Sequence, residues 1–329
     1  MEQCKLLITG GSGFIGSHFI EFLIKENPQI SILNIDIKEP IIENHNKFWE
    51  KCDIKDFESL KKIFDDFKPN YVLHLAAKAD TLGKSIDDFP DNTIGTENVV
   101  KLVKRYEKFI KRFIHTSTQF VVKPGIYPTE DTYFVPYTPY GESKAISEKI
   151  VRKYNLNTCW LIIRPTNVWG PYHPGFPDGL WKYVYKGLYI HPGYSKTRKF
   201  LCYVENCAFY IYKLMFEAKN NEVNGKVFYI SDPPVDNYYW LNNISLMLTG
   251  KKVKRVPLIL WKLLALFGDM LNKLNIPFPM RSDRLFRITV DECLPVEKTY
   301  ILTGKAPITL EDAIKKTVNW LKVYYANRK

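Results

Sequence analysis

Cysteine is scarce and unpatterned: the six residues at 4, 52, 159, 202, 207 and 293 form no CxxC pair, and the six histidines are scattered. No disulfide framework and no metal site is therefore expected, and a cysteine within an apolar run acts as a small hydrophobe. The first residues lead straight into a strand without a signal-peptide pattern, so a reduced, cytoplasmic compartment is the expectation. Long hydrophobic runs are also missing. The longest apolar stretch, 258–274, is interrupted by Lys262, Asp269 and Lys273 and is too short and too charged to span a bilayer. Its apolar positions recur at helical spacing, which predicts a packed amphipathic helix. The alternative is an interfacial helix in peripheral contact with a membrane, because Lys251, Lys252, Lys254 and Arg255 precede it. Repeats and low-complexity tracts are absent. Acidic residues are outnumbered, giving a net charge of +12. No helix-turn-helix, finger or RNP signature accompanies that charge, so it is read as a basic surface that attracts anionic small molecules, not nucleic acid.

What is present is a globular composition: 329 residues, 46% apolar and 25% charged. The first half alternates short β-rich runs with helical stretches. Strands are predicted at Lys5–Thr9, Ser31–Asp36, 48–52, 71–76, 112–117 and 158–163. Helices are predicted at Phe14–Glu26, 56–67, 90–106 and 140–154. Strands alternating with helices of this length imply right-handed crossovers and a doubly wound parallel α/β sheet. After Pro165 the pattern changes: proline, glycine and aromatic residues crowd 165–200, one more strand is expected at 226–231, and helices dominate from 238. The expected division is a nucleotide-binding domain over 1–164, to which 196–231 returns in part. A smaller, mostly helical substrate domain takes 165–195 and 232–329.

The segment TGGSGFIG follows a strand and opens a helix. Gly10 suits the tight turn, Gly13 the close approach of backbone to a pyrophosphate, and Gly16 the packing of helix on strand. Phe14 and Ile15 begin the helix whose free N–H groups would face the phosphates. Asp36 ends the second strand, where a carboxylate accepts both hydroxyls of an adenosine ribose and repels a 2′-phosphate. NAD is the expected cofactor, with Lys38 softening the discrimination against NADP.

These residues resemble the extended short-chain dehydrogenases/reductases, in particular the nucleotide-sugar epimerase/dehydratase group. The resemblance is carried by an ordered set: TGGSGFIG, Asp36, CDI at 52–54, HLAA at 74–77, NTIGTEN at 92–98, TST at 116–118, YGESK at 140–144, RPTNVWGP at 164–171 and TRKFLCYVEN at 197–206. It implies a Rossmann sheet of about seven strands with substrate bound between two domains, and a homodimer formed through the helices at 90–106 and 140–154. It further implies that Asp53 and Ile54 hold the adenine, that Leu75, Ala76 and Ala77 line the loop over the phosphates, and that Asn92 and Pro165 serve the nicotinamide side.

Tyr140 and Lys144 stand four apart on one helix face. A tyrosine is a poor base at neutral pH, and the expectation is that the ammonium beside it, together with the positive nicotinamide ring, favours the phenolate. Tyr140 would then exchange a proton with a sugar hydroxyl, Thr118 would bond the same oxygen, and Lys144 would hold the nicotinamide ribose. Thr118 is preferred over Ser117 by the family's spacing. A second YxxxK, Tyr325 to Lys329, shows how common that pattern is among 21 tyrosines. Asn167 and Arg198 resemble the family's diphosphate-holding positions, with Arg284 favoured over Arg281 and Arg287 as a second arginine. Thr81 and Lys84 fall where a sugar-facing loop belongs.

Where family members that eliminate water carry Asp-Glu after the threonine, this chain has Gln119-Phe120, and a 4,6-dehydratase is accordingly disfavoured. Val121-Val122-Lys123 and Glu205-Asn206 are further departures. The expected function is an NAD-dependent epimerase of a UDP-, GDP-, dTDP- or CDP-linked sugar, acting at C4 through a transient 4-keto sugar. The alternatives are a keto-sugar-nucleotide reductase or dehydrogenase, a sterol-type dehydrogenase, and a non-catalytic NAD-binding protein.

Overall fold

The structure, a computed structural model, describes residues 4–80, 83–276 and 278–328. The main sheet has seven parallel strands: β1 (Lys5–Thr9), β2 (Ser31–Asp36), β3 (Trp49–Lys51), β4 (Tyr71–His74), β5 (Arg112–Thr116), β6 (Cys159–Pro165) and β7 (Val227–Ile230). Their spatial order is β7-β6-β5-β4-β1-β2-β3. The order reverses between β1 and β4, which opens a crevice at the carboxyl ends of the strands.

Side chains alternate across this sheet. Leu6 and Ile8 of β1 pack in one layer with helices α1 (Phe14–Glu26) and, further along the chain, Val204–Tyr212. Leu7 packs in the other layer with α2 (Phe57–Phe67), α3 (Thr96–Arg105) and α4 (Pro139–Lys153). All three β1 side chains have no exposed surface, which is why the strand reads as a continuous apolar run.

The helix starts follow local chemistry. The Asp56 carboxylate accepts from Ser59 N at 3.1 Å to cap α2, and the Thr138 hydroxyl accepts from Gly141 N at 3.0 Å to cap α4, with Pro139 in its first turn. The helix expected over 90–106 is split. A π-type turn, Asp91–Gly95, carries fully buried Asn92 into the core before α3 begins.

In chain order the later helices of eight residues or more among the described residues are α5 (Val204–Tyr212), α6 (Asn237–Thr249), α7 (Leu258–Lys273), α8 (Ser282–Thr289) and α9 (Leu310–Ala326). A second core joins α6 and α9 to the segment after β6. Trp240 meets Trp169 and Trp181 edge-on, with ring centroids 5.3 and 5.1 Å away. Tyr325 belongs to this core, its hydroxyl donating to the Pro177 carbonyl at 2.7 Å, so the terminal YxxxK tyrosine is a packing residue.

The packed helix expected at 258–274 requires correction. Of α7 only Ala265 and Gly268 are buried, whereas Ile259, Leu260, Leu263, Leu264, Leu266, Phe267 and Met270 are each 39–62% exposed. The reason is the width of the contact. A Cβ at Gly268 would lie 1.9 Å from the Met280 carbonyl oxygen, so α7 presses its small residues onto the chain that follows and turns its large ones outward. Among the described residues no helix is long and apolar enough to cross a membrane.

Candidate active site

The glycine turn lies at the crevice. Gly10 has φ +76°, and a Cβ there would stand 2.5 Å from Ala76 N, so neither the conformation nor the space admits a side chain. A Cβ at Gly16 would lie 2.5 Å from Gly11 Cα, where α1 packs on the turn. Gly13 precedes α1 and no side chain caps that helix, which leaves its first N–H groups directed into the crevice. The Asp36 carboxylate accepts from Ser12 N at 3.2 Å and Lys38 N at 3.0 Å, and burial raises its pKa. An open helix start beside a side-chain-free turn and a strand-end carboxylate is the donor and acceptor set that an adenine dinucleotide requires, so these residues fit NAD.

The loop after β4 is fixed from below. Thr9 Oγ1 accepts from Ala76 N at 3.2 Å and pairs with His74 Nδ1 at 2.6 Å, while His74 Nε2 meets Thr96 Oγ1 at 3.1 Å. His74 and His115 are fully buried packing residues held neutral. Burial, aided by the nearby Lys144 charge, lowers His74 to about 3 and puts His115 far below its usual value. Leu75, Ala76 and Ala77 are half-buried at the mouth of the crevice. Ile54 is buried, and Asp53 is partly exposed, with Lys55 Nζ 3.3 Å from its carboxylate.

Asn92 acts as a clamp. Its Oδ1 accepts from Lys78 N at 2.9 Å, and its Nδ2 donates to Lys78 O at 3.0 Å and to Ser143 Oγ at 2.9 Å, tying the β4 loop to α4. Ser143 is a supporting residue inside YGESK that the motif's spacing does not single out.

Tyr140, Thr118 and Lys144 come together at the carboxyl edge of β5. Thr118 is buried and its hydroxyl is hydrogen-bonded to that of Tyr140, whereas the Ser117 hydroxyl makes no such contact. A Cβ at Gly141 would lie 2.3 Å from the Phe120 carbonyl oxygen, so this glycine is what allows α4 to approach the turn after Thr118. Without the nicotinamide ring, the protein by itself does not acidify the tyrosine. Burial pushes the Tyr140 hydroxyl up to about 12, and the Thr118 hydrogen bond pulls it back only in part. Burial likewise lowers the Lys144 ammonium to about 8, against the pull of Glu148. A dry site disfavours both charges.

Because the Lys144 pKa falls on folding, its burial costs stability fully below pH 8, and the cost vanishes as pH rises toward the unfolded value of 10.5. Lys144→Met is thus expected to stabilise the fold by about 3 kcal/mol at neutral pH, with the gain shrinking through that window. Urea denaturation at a series of pH values checks this; an unchanged or lowered midpoint at pH 7 would refute it.

A buried ion pair holds α4 in place. Arg164 at the end of β6 donates from Nε and a terminal nitrogen to the two Glu148 oxygens, each at 2.8 Å, and both side chains are fully buried. The same guanidinium donates to the Tyr229 hydroxyl at 2.9 Å and the Asp131 carbonyl at 2.7 Å. In the sequence Arg164 is visible only as the first letter of RPTNVWGP, and its partner has no signal.

The residues expected on the substrate side are more dispersed. Asn167 is half-buried on the short strand Asn167–Trp169, and Pro165 is buried at the end of β6. Arg198 is exposed, with Nε donating to Glu292 O at 3.1 Å. Arg284 is exposed and donates to Pro279 O at 2.8 Å, and its charge acts on Tyr189. Arg287 is the arginine whose charge acts on Tyr137, a ring that meets Phe120 edge-on beside Tyr140. Lys84 is exposed, and Thr81 lies outside the described residues. Gln119 and Val121 are buried, and Lys123 sits over the Phe286 ring.

Asn206 has a physical reason to be an amide. It donates to Asp232 at 2.8 Å and to Ile308 O at 2.8 Å, whereas a second carboxylate would face Asp232, whose pKa burial already raises to about 7. Among the described residues no group of three or more metal-binding side chains is found.

Comparison with known proteins bears on this site. The chain is 32% identical over 260 residues to a dTDP-glucose 4,6-dehydratase of Salmonella typhimurium, covering 66% of this chain and 70% of that protein. A putative UDP-glucose 4-epimerase of Methanocaldococcus jannaschii is 27% identical over 96% of this chain and 98% of its own. Among solved structures, the UDP-glucose 4-epimerase of Thermotoga maritima superposes with a TM-score of 0.72 at 23% identity, over 98% of this chain and 99% of that one, which is a likeness of fold.

The dehydratase relatives overturn the expectation that Gln119-Phe120 disfavours dehydration. Two residues beside Thr118 say nothing about acids and bases supplied by other segments of the cleft. The model of the NAD-dependent epimerase/dehydratase family matches residues 6–230, from β1 through β7, and the chain belongs to that family.

Proposed function

We propose that the protein is a nucleotide-sugar epimerase acting at C4 through a transient 4-keto sugar, with Thr118, Tyr140 and Lys144 as its catalytic residues. The observation that carries this reading is the contact of the buried Tyr140 and Thr118 hydroxyls, one helical turn from Lys144, at the strand edge that also bears the open glycine turn. NAD, when bound, takes a hydride from the sugar carbon and gives it back, and its positive ring opposes the burial that keeps Tyr140 protonated.

In this proposal Gly10, Gly13, Phe14, Ile15 and Gly16 hold the pyrophosphate, Asp36 the adenosine ribose, and Asp53 and Ile54 the adenine. Leu75, Ala76 and Ala77 cover the phosphates, while Asn92 and Pro165 shape the nicotinamide side. Tyr140 takes the proton of the sugar hydroxyl as its C–H bond breaks, and returns a proton to the keto oxygen when that bond re-forms. Thr118 orients that oxygen, and Lys144 holds the nicotinamide ribose. Asn167 and Arg198 anchor the diphosphate, with Arg284 or Arg287 as the second arginine, and Thr81 and Lys84 face the sugar. The keto sugar turns about that anchor before hydride and proton return. A homodimer through α3 and α4 is part of the same proposal.

The second reading, a 4,6-dehydratase, is favoured by the relatives of that name. It shares the first step, because a carbonyl at C4 acidifies the C5 proton and prepares loss of water toward C6.

Incubation with UDP-, GDP-, dTDP- and CDP-sugars, followed by NMR, tests both. A C4 epimer, with near-stoichiometric NAD released on denaturation, is the expected result. A 4-keto-6-deoxy product selects the dehydratase, and failure to turn over any nucleotide sugar would sink both readings.

A further inference from the structure

We propose that α7 and its flanks dock the protein onto an anionic lipid surface. The apolar side of α7 is outward. Ile259, Leu263, Leu266 and Met270 follow one another at three- and four-residue spacing on the face opposite Ala265 and Gly268, with Phe267 beside them, and all five are about half exposed or more. Apolar exposure continues past the helix at Leu274 and Ile276, 63% and 47% exposed. A helix that serves only its own fold turns such a face inward. This one does the reverse, and a patch of this kind marks an interaction site.

Charge identifies the occupant. Between 251 and 287 the chain has nine lysines and arginines against two aspartates. Lys251, Lys252 and Lys254 are exposed ahead of the helix, and Lys262 and Lys273 are exposed along it. A helix with an apolar face rimmed by lysine lies in the headgroup region of an anionic bilayer. A second copy of this chain is the poorer partner, since it would bring two basic rims together. The helix falls short of what a crossing requires, which leaves lying on the surface. Helix α8, with Arg284 and Arg287, packs against α7, so the docked face continues into the substrate side of the molecule.

The test is co-sedimentation of the full chain with phosphatidylcholine vesicles, with and without phosphatidylglycerol. Binding is expected to the anionic vesicles and to weaken with salt. The double substitution Leu263→Asp, Leu266→Asp is expected to lower it at least about tenfold, with NAD binding and melting temperature unchanged. Phe267→Trp provides a reading that needs no disruptive change: the emission of the added indole should shift to the blue on anionic vesicles and be quenched by brominated acyl chains. Vesicle binding that is absent, or an indole emission from the Phe267→Trp variant that lipid does not move, would overturn the proposal. So would a lipid-free dimer, seen by light scattering, that the double substitution dissolves.

Discussion

Tyr140→Phe is expected to lower turnover by about a thousandfold, within the range that a positioned proton-transfer group supplies, while NAD binding and melting temperature hardly change. The ring is buried beside Phe89 and Phe120, with centroids 6.0 and 6.5 Å away, so a phenyl group keeps the packing and removes only the oxygen. The Thr118 hydroxyl loses one partner and still accepts from Phe120 N at 3.3 Å, so the cost in stability is at most about 1 kcal/mol. Burial raises the Tyr140 pKa toward about 12, so in the neutral range its phenolate is the minor form and its fraction grows with pH. Where sugar oxidation limits the rate, activity should therefore climb with pH in the native enzyme, and that climb should be missing in Tyr140→Phe. Stopped-flow formation of NADH across a pH series measures both effects. Normal turnover in a variant that still binds NAD would remove Tyr140 from the mechanism. Thr118→Val should give a smaller loss, because it removes an orienting bond and leaves the acid–base group.

The sheet was legible in the sequence because its central strands are buried on both faces. Lys5–Thr9 and Ser31–Asp36 came out to the residue, as did α1. That Tyr140 and Lys144 share one helix face was legible from the helix period, whereas Thr118 over Ser117 rests on the family's spacing alone. The pKa values of Tyr140 and Lys144 were not legible, since those depend on how dry the assembled site is, which no local spacing reports. The Glu148–Arg164 pair was hidden for a related reason: its members come from α4 and β6 and meet only in the folded core. Among the C-terminal arginines spacing favours Arg284, and it is the Arg287 charge that acts on Tyr137, whose ring meets Phe120 beside Tyr140. Helix α7 was misread because periodicity shows that an apolar face exists without saying which way it turns. There a glycine pressed on the Met280 carbonyl decides the orientation.

Glu148→Gln should destabilise the protein by about 3–5 kcal/mol, the usual consequence of stripping the counterion from a buried charge. Arg164 has no exposed surface, and its remaining acceptors, the Tyr229 hydroxyl and the Asp131 carbonyl, are neutral. Urea denaturation measures the loss, and a change below about 1 kcal/mol would mean that the pair is relaxed or hydrated in solution. Replacing both partners, as Glu148→Leu with Arg164→Met, should recover most of the stability, because two apolar groups leave no charge behind. The double variant separates structure from chemistry. Glu148 lies one turn beyond Lys144 and holds its ammonium up against burial, which has already brought it down to about 8. Without that carboxylate the Lys144 pKa falls further and the side chain becomes neutral in the physiological range, so the alkaline limb of the activity profile, the fall that ends the Tyr140 climb once Lys144 loses its charge, moves to lower pH. A pair that only braced the helix would leave that limb in place in the refolded double variant. A pair that also sets the charge of Lys144 shifts it even though the fold is restored.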